Sequence, residues 1–297
     1  MTTVEHDGEA RMGPNRYGKS GIRLATVARD GDRHTFTDLE IEVRLAGDFG
    51  AVHTDGDNAP VLPTDTMRGT CFALARDGID SVAGYAQRLA DRFLEASVAT
   101  AKVWIRVFVY PWERVEVDGA PHDHTFRPAT GGQRVLTLTQ DRGGEPTITG
   151  GVRGARVLKT TGSAFSGYLE DQYTTLPATR DRIMATTMDI TWGTTSPSVD
   201  HAALAEQVPA TVLARFATHD DSESVQHTLH AMGAAVIDAL PEVTWIRFQL
   251  PNEHHILADL SAYGLDNPNV VFLVADRPFG VIEGTVVRDG HTSEPGW

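Results

Sequence analysis

A single cysteine, Cys71, rules out any disulfide within the chain, and a reducing cytoplasm is the expected setting. Apolar runs are short; the longest, such as 270–275, fall well below the ~20 residues that a membrane-crossing helix needs. No apolar core follows the first residues, so no secretory leader is expected. Positive charge is in deficit, with 26 Lys and Arg against 40 Asp and Glu and a net charge of −14, which opposes non-specific attraction to nucleic acid. Low-complexity tracts are absent. What remains is 297 residues with 41% hydrophobic and 22% charged side chains, enough for one large globular domain or about two of ordinary size.

The pattern along the chain supports two. Residues 19–30 and 36–45 alternate polar with apolar around Gly31-Asp32, which predicts a long hairpin. Helical spacing follows over 65–77 and 79–96, with Gly78 at a helix stop and Val82, Tyr85, Leu89 and Phe93 three or four apart. Strand character returns over 102–117 and 134–140. The second half repeats the order: strands over 147–159 and 182–192, helices over 201–216 and 222–240, then strands over 243–250 and 270–288. Pro209 is expected to interrupt the first of those helices, and Pro278 and Gly280 to break the last strand. Runs of strands and then helices favour an α+β fold with an antiparallel sheet and helices on one face. The expected domains are 17–142 and 143–290, with loose ends over 1–16 and 291–297.

Several motifs are set aside. Gly13, Gly18, Lys19 and Ser20 satisfy the phosphate-loop pattern G-x-x-x-x-G-K-S, but polar residues precede them and an alternating strand follows, where the loop requires a buried strand and then a helix. His122 and His124 are assigned to a solvated loop. His254 and His255, as strand neighbours, point to opposite faces and do not converge on a metal. Cys71 fits a buried helix position better than a nucleophile. No Gly-x-Ser-x-Gly elbow is present. Thr64 or Asp65 at the start of a helix would ordinarily be an N-cap.

Three polar clusters interrupt regular segments: Gly56-Asp57-Asn58 leading to Thr64-Asp65-Thr66; Phe165 through Tyr173-Thr174-Thr175-Leu176 to Asp181-Arg182; and Pro251-Asn252-Glu253-His254-His255, with Val225-Gln226 on the preceding helix. With Tyr17-Gly18-Lys19, Asp259-Leu260 and Arg277-Pro278-x-Gly280, their order resembles the urate oxidase family from Tyr17 to Arg288. The chain departs from the family pattern at Met67-Arg68-Gly69-Thr70, where a more polar stretch is usual; this falls on helix packing or an interface.

The resemblance implies two tandem tunnelling-fold domains in a homotetramer that encloses a barrel-like tunnel, with active sites at subunit interfaces. It implies oxidation of urate by O₂ to 5-hydroxyisourate and hydrogen peroxide, with no metal or organic cofactor. By the same resemblance, Phe165 stacks on urate, Arg182 and Gln226 grip it, and the backbone of Val225 contributes. Thr64 and Asp65 come from the neighbouring subunit, Asn252 holds O₂ or water above the ring, and Lys19, Thr64 and His254 relay protons. Those residue types suit a flat, anionic, hydrogen-bonding purine. The chain ends without a Ser-Lys-Leu peroxisomal address, which points to the cytoplasm. The rival readings are another tunnelling-fold purine or pterin enzyme built on a zinc-binding histidine cluster, and a urate-binding protein without turnover.

Overall fold

A computed structural model describes residues 11–292. In chain order its elements are β1 (Arg16–Asp30), β2 (Arg33–Gly47), α1 (Gly50–Thr54), α2 (Thr64–Ala75), α3 (Val82–Ala96), β3 (Thr100–Val109), β4 (Trp112–Val117), β5 (Ala120–Pro128) and β6 (Gln133–Asp141). There follow β7 (Thr147–Lys159), β8 (Met184–Thr194), α4 (His201–Thr218), α5 (Val225–Ala239), β9 (Val243–Leu257) and β10 (Phe272–Val287). The ends expected to be loose lie outside the described residues except at their inner margins, where Arg16 already opens β1. Strand β1 also occupies the position where a phosphate-binding loop would need a helix.

The chain divides into two compact units. The first runs to Val107 and takes in Thr137–Thr147; the second holds Phe108–Leu136 and continues from Ile148.

In the first unit β2 lies between β1 and β3. Gly31-Asp32 makes the two-residue turn, with Asp30 opposite Arg33. Leu39, Ile41, Val43 and Leu45 of β2 and Val103, Ile105 and Val107 of β3 are fully buried, which the period of two requires of one covered face. Tyr85, Leu89 and Phe93 of α3 are buried as the helical spacing predicts. Cys71 is buried in α2, and the Tyr85 hydroxyl donates to its carbonyl at 2.7 Å. Burial pushes the Cys71 thiol up to about 12, so it is an inert packing group.

The second unit has the antiparallel order β7-β8-β9-β10. Met188, Val208, Val212, Met232, Val236 and Phe248 pack between sheet and helices. The helix-free face is polar: Arg247 donates to Thr285 at 3.1 Å, Gln249 to Glu283 at 2.7 Å, and Arg156 pairs with Glu253 at 2.7 Å.

The structure corrects the sequence reading at four places. The strand expected over 102–117 is two, because Pro111 has no N–H to extend the ladder. His122 and His124 sit on strand β5 rather than in a loop; Asp118 and Gly119, both at positive φ, turn the β4–β5 hairpin. Pro209 does not interrupt α4, whose buried Leu204, Val208, Val212 and Phe216 hold 18 residues in one helix. Neither Thr64 nor Asp65 is an N-cap: Pro63 holds that place and makes no side-chain cap bond, so both belong to the first turn of α2.

Gly18 is fixed by contact. A Cβ there would lie 1.8 Å from the Val43 carbonyl oxygen on the paired strand. Gly18→Ala should therefore cost about 1–3 kcal/mol, read as a lower urea midpoint. An unchanged midpoint would show that β1 and β2 do not approach this closely.

Candidate functional site

The sequence-predicted residues fall into two groups, one in each unit. In the second unit, the long segment between β7 and β8 is stitched together before it reaches the sheet. The Asp181 carboxylate accepts from the Gly162 amide at 2.9 Å and the Thr161 hydroxyl at 3.0 Å, and the Arg182 amide donates to Ser163 O at 2.8 Å. Phe165 and Thr179 exchange backbone hydrogen bonds at 2.8 and 2.9 Å. This brings the Arg182 guanidinium to 5.2 Å from the Phe165 ring centroid, within cation–π range. Tyr168 stacks on Phe165 at 4.9 Å. Burial of Arg182 disfavours its charge and draws its pKa below the ordinary value.

Ser222 ties that segment to α5. Its carbonyl accepts from the Ala164 amide at 2.7 Å, and its hydroxyl lies 2.7 Å from that of Thr228. Ser224 caps α5 through the His227 amide at 3.1 Å, so Val225 and Gln226 are the first two helical residues. Val225 is buried and Gln226 exposed. Strand β9 carries Asn252, opposite Thr186 and Gly280, and His254, opposite Ala275. Between those two pairs β10 contributes extra residues, a bulge of the kind that re-aims side chains.

In the first unit, Lys19 lies opposite Val43 at a β-bulge where Gly21 takes φ +67°. The Tyr17 hydroxyl accepts from the Leu62 amide at 2.9 Å, linking the start of β1 to the loop that delivers Thr64 and Asp65. Asp65 pairs with Arg68 at 3.0 Å on the surface, an interaction of small energy.

Among the described residues, the side chains of Lys19, Thr64, Gln226, Asn252 and His254 make no hydrogen bond within the chain. Their neighbours do: Asp181, Glu253, Thr187 and Asp171 are all bonded internally. In each unit, polar side chains left with free donors and acceptors beside bonded neighbours are suited to a polar ligand. No group of three or more His, Cys, Asp or Glu able to hold a metal ion occurs among the described residues, and no described helix is long and apolar enough to cross a membrane.

A mostly antiparallel sheet with helices on one face, and the likeness to solved structures of that fold, define the tunnelling-fold class. The chain belongs to the uricase family, whose model matches residues 15–137 and 148–283. It is 42% identical to the uricase of Arthrobacter globiformis over 289 residues, covering 96% of this chain and 93% of that protein. It is 34% identical to the rabbit (Oryctolagus cuniculus) uricase over 97% of this chain and 98% of that one. The crystal structure of the Arthrobacter globiformis uricase superposes with a TM-score of 0.92 at 40% identity, covering 97% of this chain and 98% of that chain. The urate oxidase of Bacillus sp. TB-90, at 19% identity and a TM-score of 0.81 over 92% of this chain and all of that chain, shares the fold.

Sequence reasoning missed a basic cluster beneath the α5 N-terminus. His219 is 6% exposed; its ring packs edge-on against His227 at 4.6 Å, and Arg215 approaches its Nδ1 at 3.5 Å. The Lys159 ammonium donates to the His219 carbonyl at 2.6 Å, closing the C-terminus of α4. Arg215 and His219 are one helical turn apart, but no local spacing joins them to Lys159 and His227; the fold assembles the four. Burial, and then the positive charges of His227, Arg215 and Lys159, hold the His219 pKa below its ordinary value, with Asp221 opposing. A histidine with a depressed folded pKa stays neutral in the native state while the unfolded chain takes up a proton. Stability therefore falls as pH drops below about 6.5, the unfolded value, and is unaffected above it. His219→Gln should flatten the fall in urea midpoint between pH 7.5 and pH 5.5; an equal fall in parent and variant would refute the assignment.

Proposed function

We propose that this chain catalyses the oxidation of urate by O₂ and water to 5-hydroxyisourate and hydrogen peroxide. The observation that carries the reading is the Phe165–Arg182 pair beside the capped N-terminus of α5, with Gln226 and Asn252 left free to bond a ligand. The relatives named uricase supply the substrate class.

Urate is planar and anionic. Phe165 offers a ring face, while Arg182 and Gln226 offer flat donor sets for its oxygens and nitrogens. The first turn of α5 leaves backbone N–H groups unpaired around Val225, and a helix N-terminus favours an anion. Thr64 and Asp65 reach the substrate from a neighbouring subunit. Lys19, Thr64 and His254 take up and return protons, and Asn252 positions O₂ and then water above the ring. Urate gives two electrons and two protons to O₂, forming hydrogen peroxide. The oxidised ring takes hydroxide from water at C5, and the remaining proton replaces the one removed, so that atoms and charge balance. The electron-rich substrate supplies the reducing power, so neither metal nor organic cofactor is needed; the protein's part is placement and proton transfer.

In this reading the chain forms two tandem tunnelling-fold domains, 17–142 and 143–290, and four copies close a barrel-like tunnel in the cytoplasm. The exposed apolar side chains of Ile256, Leu257, Leu273 and Val274 on β9 and β10 support assembly, since a patch of this kind on one chain ordinarily meets a partner. In chelator-treated buffer, urate absorbance and dissolved O₂ should fall in equal amounts with peroxide formed. Arg182→Ala, which removes a charged hydrogen-bond donor, should lower kcat/KM by roughly ten- to a hundredfold. Urate binding without O₂ uptake would establish a binding protein instead, and parental turnover in Arg182→Ala would overturn the site.

A further inference from the structure

The helix-free face of the first unit carries a cleft that the urate site does not use. Since Val43 and Leu45 of β2 and Val103, Ile105 and Val107 of β3 face the helices, the alternating Glu42, Arg44, Trp104 and Arg106 face away from them. With Arg16 of β1 and Thr137 of β6 they line a cleft of about 150 Å³. Three guanidinium groups and one carboxylate share this small space, in a chain whose net charge is −14.

The anchoring of these arginines leaves most of their charge uncompensated. Arg44 is held by neutral acceptors, donating to the Ser20 hydroxyl at 2.7 Å and the Val43 carbonyl at 3.0 Å. Arg106 donates to the Thr137 hydroxyl at 3.4 Å and lies 3.8 Å from Glu42, too far for a hydrogen bond. The Arg16 guanidinium lies 5.8 Å from the Trp104 ring centroid, and the Lys102 ammonium lies 5.3 Å from it. Among the described residues, neither Arg16 nor Arg44 has a carboxylate partner. Like charges gathered on adjacent strands repel, and an anion seated among them relieves that repulsion.

We propose that this cleft binds a compact tetrahedral oxyanion of the phosphate type. Guanidinium forks match such an oxyanion with paired N–H donors, and the Thr137 hydroxyl adds a further polar group. The Trp104 ring already carries two cations, which leaves the site to an ion rather than to a stacked purine. The volume holds phosphate with a little water.

The test is thermal unfolding of the full-length protein titrated with inorganic phosphate, with ionic strength held constant by chloride. A saturable rise in midpoint is expected, about 2–4 °C at tenfold excess over Kd. It should be lost in Arg44→Gln and in the more exposed Arg16→Gln, so that misfolding of one variant leaves the other to decide. Arg68→Gln, on the far surface of α2, should keep it. Arg182→Ala should also keep it, which separates this cleft from phosphate bound at the urate site. A midpoint that follows ionic strength alone, or a shift that survives both cleft variants, would overturn the proposal.

Discussion

The contact on which the candidate site depends is the pair of backbone hydrogen bonds at Ser222, where the chain between α4 and α5 meets the chain leaving β7. Ser222 accepts from the Ala164 amide and donates its own amide to Gly162 O at 3.3 Å, so Phe165 is carried by the same short ladder that fixes the start of α5. Asp181 closes the other side by holding Gly162 and Thr161, and Arg182 follows directly. A ring and a guanidinium from the β7–β8 segment and a helix N-terminus about forty residues on are thereby set in one place by backbone groups and one carboxylate. Backbone bonds of this kind tolerate little movement, which suits a site whose work is placement of a flat molecule.

The sheet beneath is built to the same tolerance. Gly150 and Gly193 lie where a Cβ would strike the rings of Trp192 and Trp245. In each unit one face of the sheet is given to apolar packing against helices. The other is an ordered polar surface, laced by pairs such as Arg156 with Glu253 in one unit and opened as an arginine-lined cleft in the other. The paired ends of β9 and β10 are apolar and exposed, as at Ile256 and Leu273, and are costly to leave bare in a monomer.

Much of this was legible in the sequence because its signals are local. Period-two alternation located β1, β2 and β7, and three-four spacing located α3 and α5, since each face pattern is set by burial. The resemblance to the urate oxidase family rested on ordered short motifs, and the family match bears it out. What escaped was of two kinds. The β4–β5 hairpin was announced by Asp118-Gly119, a strong turn signal that went unused. Pro209 carried a true local penalty that packing of Val208 and Val212 overrode. The Lys159, Arg215, His219 and His227 cluster is completed only by the distant Lys159, and the Arg16, Arg44 and Arg106 cleft joins positions far apart in sequence, so neither could be assembled from local spacing.

Under the proposed function a working site joins Thr64 of one subunit to Arg182 of another. Mixed assembly tests it directly. Thr64→Ala and Arg182→Ala chains, each first assayed alone for its residual rate, would be unfolded together, refolded at equal amounts and assayed for urate-dependent O₂ uptake. Random mixing places an intact Thr64 opposite an intact Arg182 in about a quarter of interface sites, so about a quarter of the parental rate, above the mean of the two variants alone, is predicted. No recovery in tetramers shown to contain both chains would contradict the account and assign both groups to one subunit.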